Sequence, residues 1–271
     1  MTTIAGEAEV LTPLSREEAI RAFGQGDDLT VFAGGTILMP EIAMGRLRPR
    51  RALLLARAGM DGISRADGRL IIGATTPVSR LADEAPEPLA EFAKHVGDPE
   101  VRAQATIGGN LCAPPGLESP RGDLQAPLLA LGARVRSTGA GGERVEAVDE
   151  FLAQGCRGRL VLELEVDEPT RGAAAGLGRP HAHSYTVLSV ACAETAAGVR
   201  VAIAGAGPRS VRCPSVEQAL AGGAPAVEAA RRVVDDVRPQ DDALASAWYR
   251  TKMLPLLVER ALARLGGTES P

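Results

Sequence analysis

Two stretches of the sequence set adjacent glycines beside small or hydroxyl-bearing residues: Ala33-Gly34-Gly35-Thr36 and Thr106-Ile107-Gly108-Gly109-Asn110. Without a Cβ, glycine lets backbone N–H groups converge on an anion, and a neighbouring hydroxyl or amide can hydrogen-bond a phosphate or ribose oxygen. A strand-ending Gly-Gly on its own is more often just a tight turn. Two in one chain suit a ligand with two phosphates. Neither fits G-x-G-x-x-G in a strand–helix setting, and no G-x-x-x-x-G-K-[ST] is present, so Rossmann and P-loop schemes are disfavoured.

Other reactive side chains assemble into nothing comparable. No nucleophile–base constellation is visible, so no catalytic residue is assigned. His181 and His183 would share one face of a strand but lack a third metal ligand. Cys112, Cys156, Cys192 and Cys213 are widely spaced with no C-x-x-C pair, which excludes a local iron–sulfur cluster or zinc knuckle and reads as free thiols in a reducing compartment. Any metal chemistry therefore belongs to another chain. Arg121-Gly122-Asp123 copies a cell-adhesion tripeptide, which carries no meaning in a cytoplasmic protein.

The elements around the glycines are legible. Ser15-Arg16-Glu17-Glu18 has the form of a capping box opening a short helix that ends near Gly24 and Gly26. Leu29 to Ala33 is a β-branched, apolar run that delivers the chain into the first glycine turn. Further strands are expected at Ala52 to Leu55, Leu70 to Ile72, Ala133 to Arg136, Leu160 to Val166, Tyr185 to Ala193 and Val199 to Ala204. Helices are expected at Val78 to Ala85 and Leu89 to His95, with two or three more closing the chain. The last begins after the acidic cap Pro239-Gln240-Asp241-Asp242 and is kinked by Pro255. The class is α+β. Glu168 to Pro180, rich in Gly, Pro and Arg, reads as a linker.

Composition narrows the function further. At 271 residues the chain is long enough for one large domain or two. Its net charge of −4 is spread along the sequence, so the concentrated positive field needed for nucleic acid is missing. No apolar run reaches the length of a membrane span, and the N-terminus lacks the pattern of a signal peptide, which points to the cytoplasm.

Taken together, these segments resemble the FAD-binding (medium) subunit of the molybdenum hydroxylases, the xanthine dehydrogenase and carbon monoxide dehydrogenase family. The resemblance rests on Ala33-Gly34-Gly35-Thr36, Ile72-Gly73-Ala74-Thr75-Thr76, and Val96-Gly97-Asp98-Pro99-Glu100-Val101-Arg102 leading into Ala105-Thr106-Ile107-Gly108-Gly109-Asn110-Leu111. It continues through Ser119-Pro120-Arg121-Gly122-Asp123 and ends with Tyr249-Arg250 and Glu259-Arg260-Ala261-Leu262.

The resemblance implies a vanillyl-alcohol-oxidase-type FAD-binding domain over 1–167, made of two α/β subdomains at about 1–52 and 53–167. A linker at 168–180 and a smaller C-terminal α+β domain at 181–271, covering the flavin side, follow. It implies that FAD pyrophosphate lies between Ala33, Gly34, Gly35, Thr36, Ile37 and Thr106, Ile107, Gly108, Gly109, Asn110. Asp123 matches an aspartate that holds the sugar or ribityl part, although a helix N-cap would explain it too. Tyr185 falls where an aromatic covers the flavin ring, or is a strand-core tyrosine. Ile37 departs from the polar residue usual there, and Pro114 to Glu118 contains an insertion. The implied partners are a large molybdopterin subunit and a small subunit with two [2Fe-2S] clusters, in a dimer of heterotrimers. Electrons would pass through this FAD to NAD, a quinone or oxygen. The alternatives are a free-standing flavin oxidoreductase of the same fold and an assembly subunit that has lost flavin.

Overall fold

The computed structural model describes residues 8–116, 122–178 and 186–267. Three sheets organise them. The first is parallel, with β1 (Glu9–Leu11) and β2 (Leu29–Phe32) flanking β3 (Arg51–Leu54). The second has five antiparallel strands in the order β4 (Ile63–Ala66), β5 (Arg69–Gly73), β8 (Arg159–Asp167), β6 (Arg134–Gly139), β7 (Arg144–Ala147). The third, also antiparallel, runs β12 (Val211–Arg212), β11 (Gly198–Ala204), β10 (Thr186–Thr195), β9 (Arg171–Gly178). With its interleaved helices, the molecule is α+β.

The first sheet is aimed by a capped helix. Ser15 Oγ accepts from the Glu18 N–H at 3.2 Å, and Glu18 reaches back to the Leu14 N–H at 2.8 Å, so Arg16–Phe23 starts where the capping box places it. Gly24, with φ +56°, turns the chain out of the helix. Leu53 is fully buried at the centre of this sheet and shares a core with Leu70, Ile72 and Leu164 of the second. Arg16 ties the same helix to that sheet, donating to Glu163 of β8 at 2.7 Å beside Arg136, which donates to the same carboxylate at 2.7 Å.

The passage from 168 to 180, expected to be a linker, instead contains β9, paired with β10 through Arg171 to Gly178. Its small residues conceal a strand because close approach demands them. A Cβ on Gly172 would run into the Glu87 carbonyl oxygen and lie 2.7 Å from Pro88 N.

The third sheet sorts its side chains by size. Ala174, Ala191, Ala193, Ala202 and Ala204 belong to the core shared with the first two sheets, while Leu188, Val190, Val201 and Ile203 belong to a second core. Alternation along a strand assigns these sets to opposite faces. The alanine face admits the wholly buried helix Gln125–Leu131, which packs against β10 and β11. The larger face is covered by the closing helices Pro214–Ala221, Ala226–Arg231, Val233–Asp236 and Ala247–Leu265.

The closing helix runs unbroken through Pro255, but its N-cap is Ser246, whose Oγ accepts from the Tyr249 N–H at 3.2 Å. The acidic pair before it has other work. Asp241 accepts from the Ala247 N–H at 2.6 Å, whereas Asp242 turns inward to Arg250, 2.7 Å away, both side chains being nearly or fully buried. Tyr185, His181 and His183 lie outside the described residues.

Candidate functional site

The two glycine motifs meet across one cavity of about 1040 Å³, near the upper end of the size range of ligand pockets. Ala33, Gly34, Gly35, Thr36 and Ile37 line one side, and Gly108 and Gly109 line the other. The chain gets there by two routes. The first motif leaves β2 and turns into the helix Leu38–Ala43, with Gly35 at φ +73° supplying a left-handed bend that a side chain would strain. The second is not the turn that its sequence suggests. Ile107–Leu111 is a short helix capped by Thr106, whose Oγ1 accepts from the Gly109 N–H at 3.2 Å.

That difference divides the work between the motifs. In the second, Ile107 N–H donates to Thr76 O at 3.1 Å, Gly108 N–H to Ala74 O at 2.9 Å, and Asn110 N–H to Thr106 O at 2.9 Å. These donors are engaged within the protein. In the first, the N–H groups from Gly34 to Leu38 have no acceptor among the described residues, and the helix that follows has no side-chain cap. Ile37 stands at that N-cap, so the residue that departs from the usual polar type is also the one that leaves the donors open. Consecutive unpaired N–H groups beside a helix start form an anion-binding concavity without any lysine.

The glycines of the two motifs hold them together. A Cβ on Gly34 would strike the Gln104 carbonyl oxygen, 2.7 Å from its carbon and 3.1 Å from Ala105 Cα. One on Gly108 would come 2.7 Å from Ala74 O, while one on Gly109 would meet Thr106 Oγ1 alone, at 3.0 Å, and otherwise project towards open space. Gly34 and Gly108 therefore permit backbone to pack on backbone, and Gly109 faces the cavity.

Of the remaining expected site residues, Thr106, Ile107 and Asn110 are buried behind this wall. Asn110 Oδ1 accepts from the Leu124 N–H at 2.8 Å in a buried bond, fixing the entry to the helix Gln125–Leu131. Asp123 is not at this cavity. It lines a smaller one of about 300 Å³ with Glu91, His95, Ser189 and Arg264, where the first domain faces the third sheet.

Several cavity residues escaped the sequence reading. Ala74 and Thr75 line it from within a motif that had been noted but given no task. Arg48, Arg50 and Arg157 stand at its margin, exposed and with no ion-pair partner among the described residues. The basic run Arg48-Pro49-Arg50-Arg51 was the available signal. Arg159 also lines the cavity, held by Glu146 at 2.8 Å, by Ser137 Oγ, and over the Phe151 ring at 5.5 Å from its centre. Among the described residues no cluster of three or more His, Cys, Asp or Glu could hold a metal ion, and no helix is long and apolar enough to cross a membrane.

Residues 6–166 match the family model described as the FAD binding domain in molybdopterin dehydrogenase, and residues 179–265 match the CO dehydrogenase flavoprotein C-terminal domain. The chain is 29% identical to the carbon monoxide dehydrogenase medium chain of Hydrogenophaga pseudoflava, over 94% of this chain and 95% of that one. It is 28% identical to the 6-hydroxypseudooxynicotine dehydrogenase complex subunit alpha of Paenarthrobacter nicotinovorans, covering 92% and 91%. Among solved structures, carbon monoxide dehydrogenase from Hydrogenophaga pseudoflava superimposes with a TM-score of 0.84 at 25% identity, over 99% of this chain and all of that one.

Proposed function

Because this chain belongs to the family of FAD-binding domains of molybdopterin dehydrogenases, and is an FAD-binding oxidoreductase subunit of the molybdenum hydroxylase type, we propose that its N–H groups from Gly34 to Leu38 hold the FAD pyrophosphate. The observation that carries this reading is the run of open donors at the cavity wall. They neutralise a dianion where no lysine lines the cavity. FAD, when bound, supplies the capacity to accept and release electrons singly or in pairs.

The chain's own residues position and shelter. Gly109 lets the cofactor approach the wall built on Thr106 and Asn110. Arg48, Arg50 and Arg157 at the margin supply positive potential to the phosphates. Asp123, in the smaller cavity beside the third sheet, accepts hydrogen bonds from the sugar or ribityl hydroxyls.

In the complete enzyme, substrate is oxidised on a large molybdopterin subunit, and electrons reach this chain through [2Fe-2S] clusters on a small one. They leave to NAD, a quinone or oxygen. The division fits a chain with four scattered cysteines. The assembly is a dimer of heterotrimers. The test is the absorption spectrum of the purified complex: a flavin band near ~450 nm and FAD released on denaturation are expected. A complex without them would overturn the reading in favour of a subunit that has lost flavin.

A further inference from the structure

Two thiols lie in the wall of the main cavity. Cys112 follows the helix that carries Gly108 and Gly109, and Cys156 lies between the helix Val148–Gln154 and β8. Although 44 residues apart in sequence, they are neighbours: the Cys156 thiol donates to the Cys112 carbonyl oxygen, with Sγ 3.5 Å away. Both are free and half-buried, and both line the cavity beside Gly109 and Arg157. Cys192 and Cys213 are different. They are fully buried in the core under the third sheet, where burial pushes both thiols far up and leaves them inert.

We propose that Cys112 and Cys156 form a dithiol that hydrogen peroxide closes to a disulfide, and that this closure controls flavin exchange from the cavity. The pairing of an accessible thiol with an adjacent second one is the arrangement that turns oxidation into a reversible bond. The neighbouring Cys112 thiol pulls Cys156 down to about 7, making it the attacking thiolate, while the same neighbour, with burial, pushes Cys112 well above the usual thiol range. In the first step the Cys156 thiolate attacks a peroxide oxygen. The O–O bond breaks, hydroxide leaves and takes a proton to become water, and Cys156 becomes a sulfenic acid. Cys112 then attacks that sulfur, its proton passing to the departing oxygen. The S–O bond breaks, a second water leaves, and the S–S bond forms. The two thiols lose two electrons, and peroxide gains them.

The bond would tie the segment after the glycine wall to the segment that enters β8, two sides of one cavity. Flavin passes between them only if they can separate, so oxidation slows release. This consequence rests on the FAD reading given above; the thiol chemistry does not, and the two are measured separately.

The purified complex with its FAD is treated with equimolar hydrogen peroxide, quenched with N-ethylmaleimide and digested without reductant. Mass spectrometry is expected to find a Cys112–Cys156 linked peptide that dithiothreitol abolishes. In Cys112→Ser, dimedone is expected to trap Cys156 as its sulfenic acid, and in Cys156→Ser neither link nor adduct forms at Cys112. Flavin appearing in the filtrate during dilution should slow roughly tenfold after oxidation of the wild type and remain unchanged in Cys112→Ser. Absence of both the linked peptide and the Cys156 adduct would overturn the dithiol. A linked peptide with unaltered flavin release would overturn its coupling to the cofactor.

Discussion

Gly34→Ala tests whether the two motifs meet backbone to backbone. The added methyl would overlap the Gln104 carbonyl oxygen and sit 2.7 Å from its carbon, where carbon atoms settle at about 3.5–4.0 Å. Backbone lies on both sides of the clash, so no side chain can rotate away, and the segments must part by roughly 1 Å. Overpacking of this kind costs about 1–3 kcal/mol, a fall in Tm of order 5 °C in a chain of this length. The same shift carries the Gly34 to Leu38 donors away from where the proposed pyrophosphate would sit. Hydrogen bonds of about 3 Å then stretch beyond useful range, and losing one to a charged acceptor weakens FAD at least about tenfold. The assay pairs thermal unfolding of flavin-free protein with FAD titration followed by flavin fluorescence. Gly109→Ala is the internal control, since its methyl faces the cavity: it should weaken FAD while leaving Tm within about 2 °C, the effect of under 1 kcal/mol. Full flavin content and unchanged Tm in Gly34→Ala, or equal destabilisation by both variants, would refute the close approach.

Asn110→Ala leaves the buried Leu124 N–H without its acceptor and should cost about 1–3 kcal/mol in chemical unfolding, with Asn110→Asp retaining part of it. Removing one member of the buried Arg250–Asp242 pair should cost about 3–5 kcal/mol. Burial alone would raise the Asp242 carboxyl, but the Arg250 guanidinium beside it and hydrogen bonds from the Ala245 and Leu244 N–H groups hold it below its ordinary value. Its stabilisation is therefore complete above the ordinary aspartate value and lost as pH falls through the lower folded one, so Asp242→Asn should lose less stability than wild type between about pH 4 and pH 2. Iodoacetamide labelling of Cys156 should rise through about pH 7 and level off above it, since the thiolate is the reactive form. In Cys112→Ala, which removes the neighbouring donor, the midpoint should move up, and a wild-type midpoint as high as that of an ordinary cysteine would contradict the pairing.

Much of the cavity could be read from the order of residues. Both glycine motifs, the Ser15 cap and the strand feeding Gly34 are local patterns, and local patterns survive in a one-dimensional record. What escaped depends on partners far along the chain. Nothing in Thr106 to Asn110 shows that its N–H groups face Ala74 and Thr76, some thirty positions upstream, where they are spent within the protein by a short helix. β9 was missed because Gly172 to Gly176 carries no large residue to mark an apolar face, and the reason for its small ones, the Glu87 carbonyl, lies in another domain. Arg250 was noticed only as part of a motif, and its burial against Asp242 follows from the packing of the closing helix.

The alanine face of the third sheet has a mechanical meaning. A cover that opens on a hinge needs an interface that can come apart in water, whereas this one is dry, built of methyl groups, and shares a fully buried helix with the domain beneath it. Swinging it away would expose the helix Gln125–Leu131 on its entire flank. The C-terminal unit is thus a fixed part of the molecule rather than a hinged cover. Recombining this unit with the base of a distant relative would fail unless the alanine face and that helix travelled together.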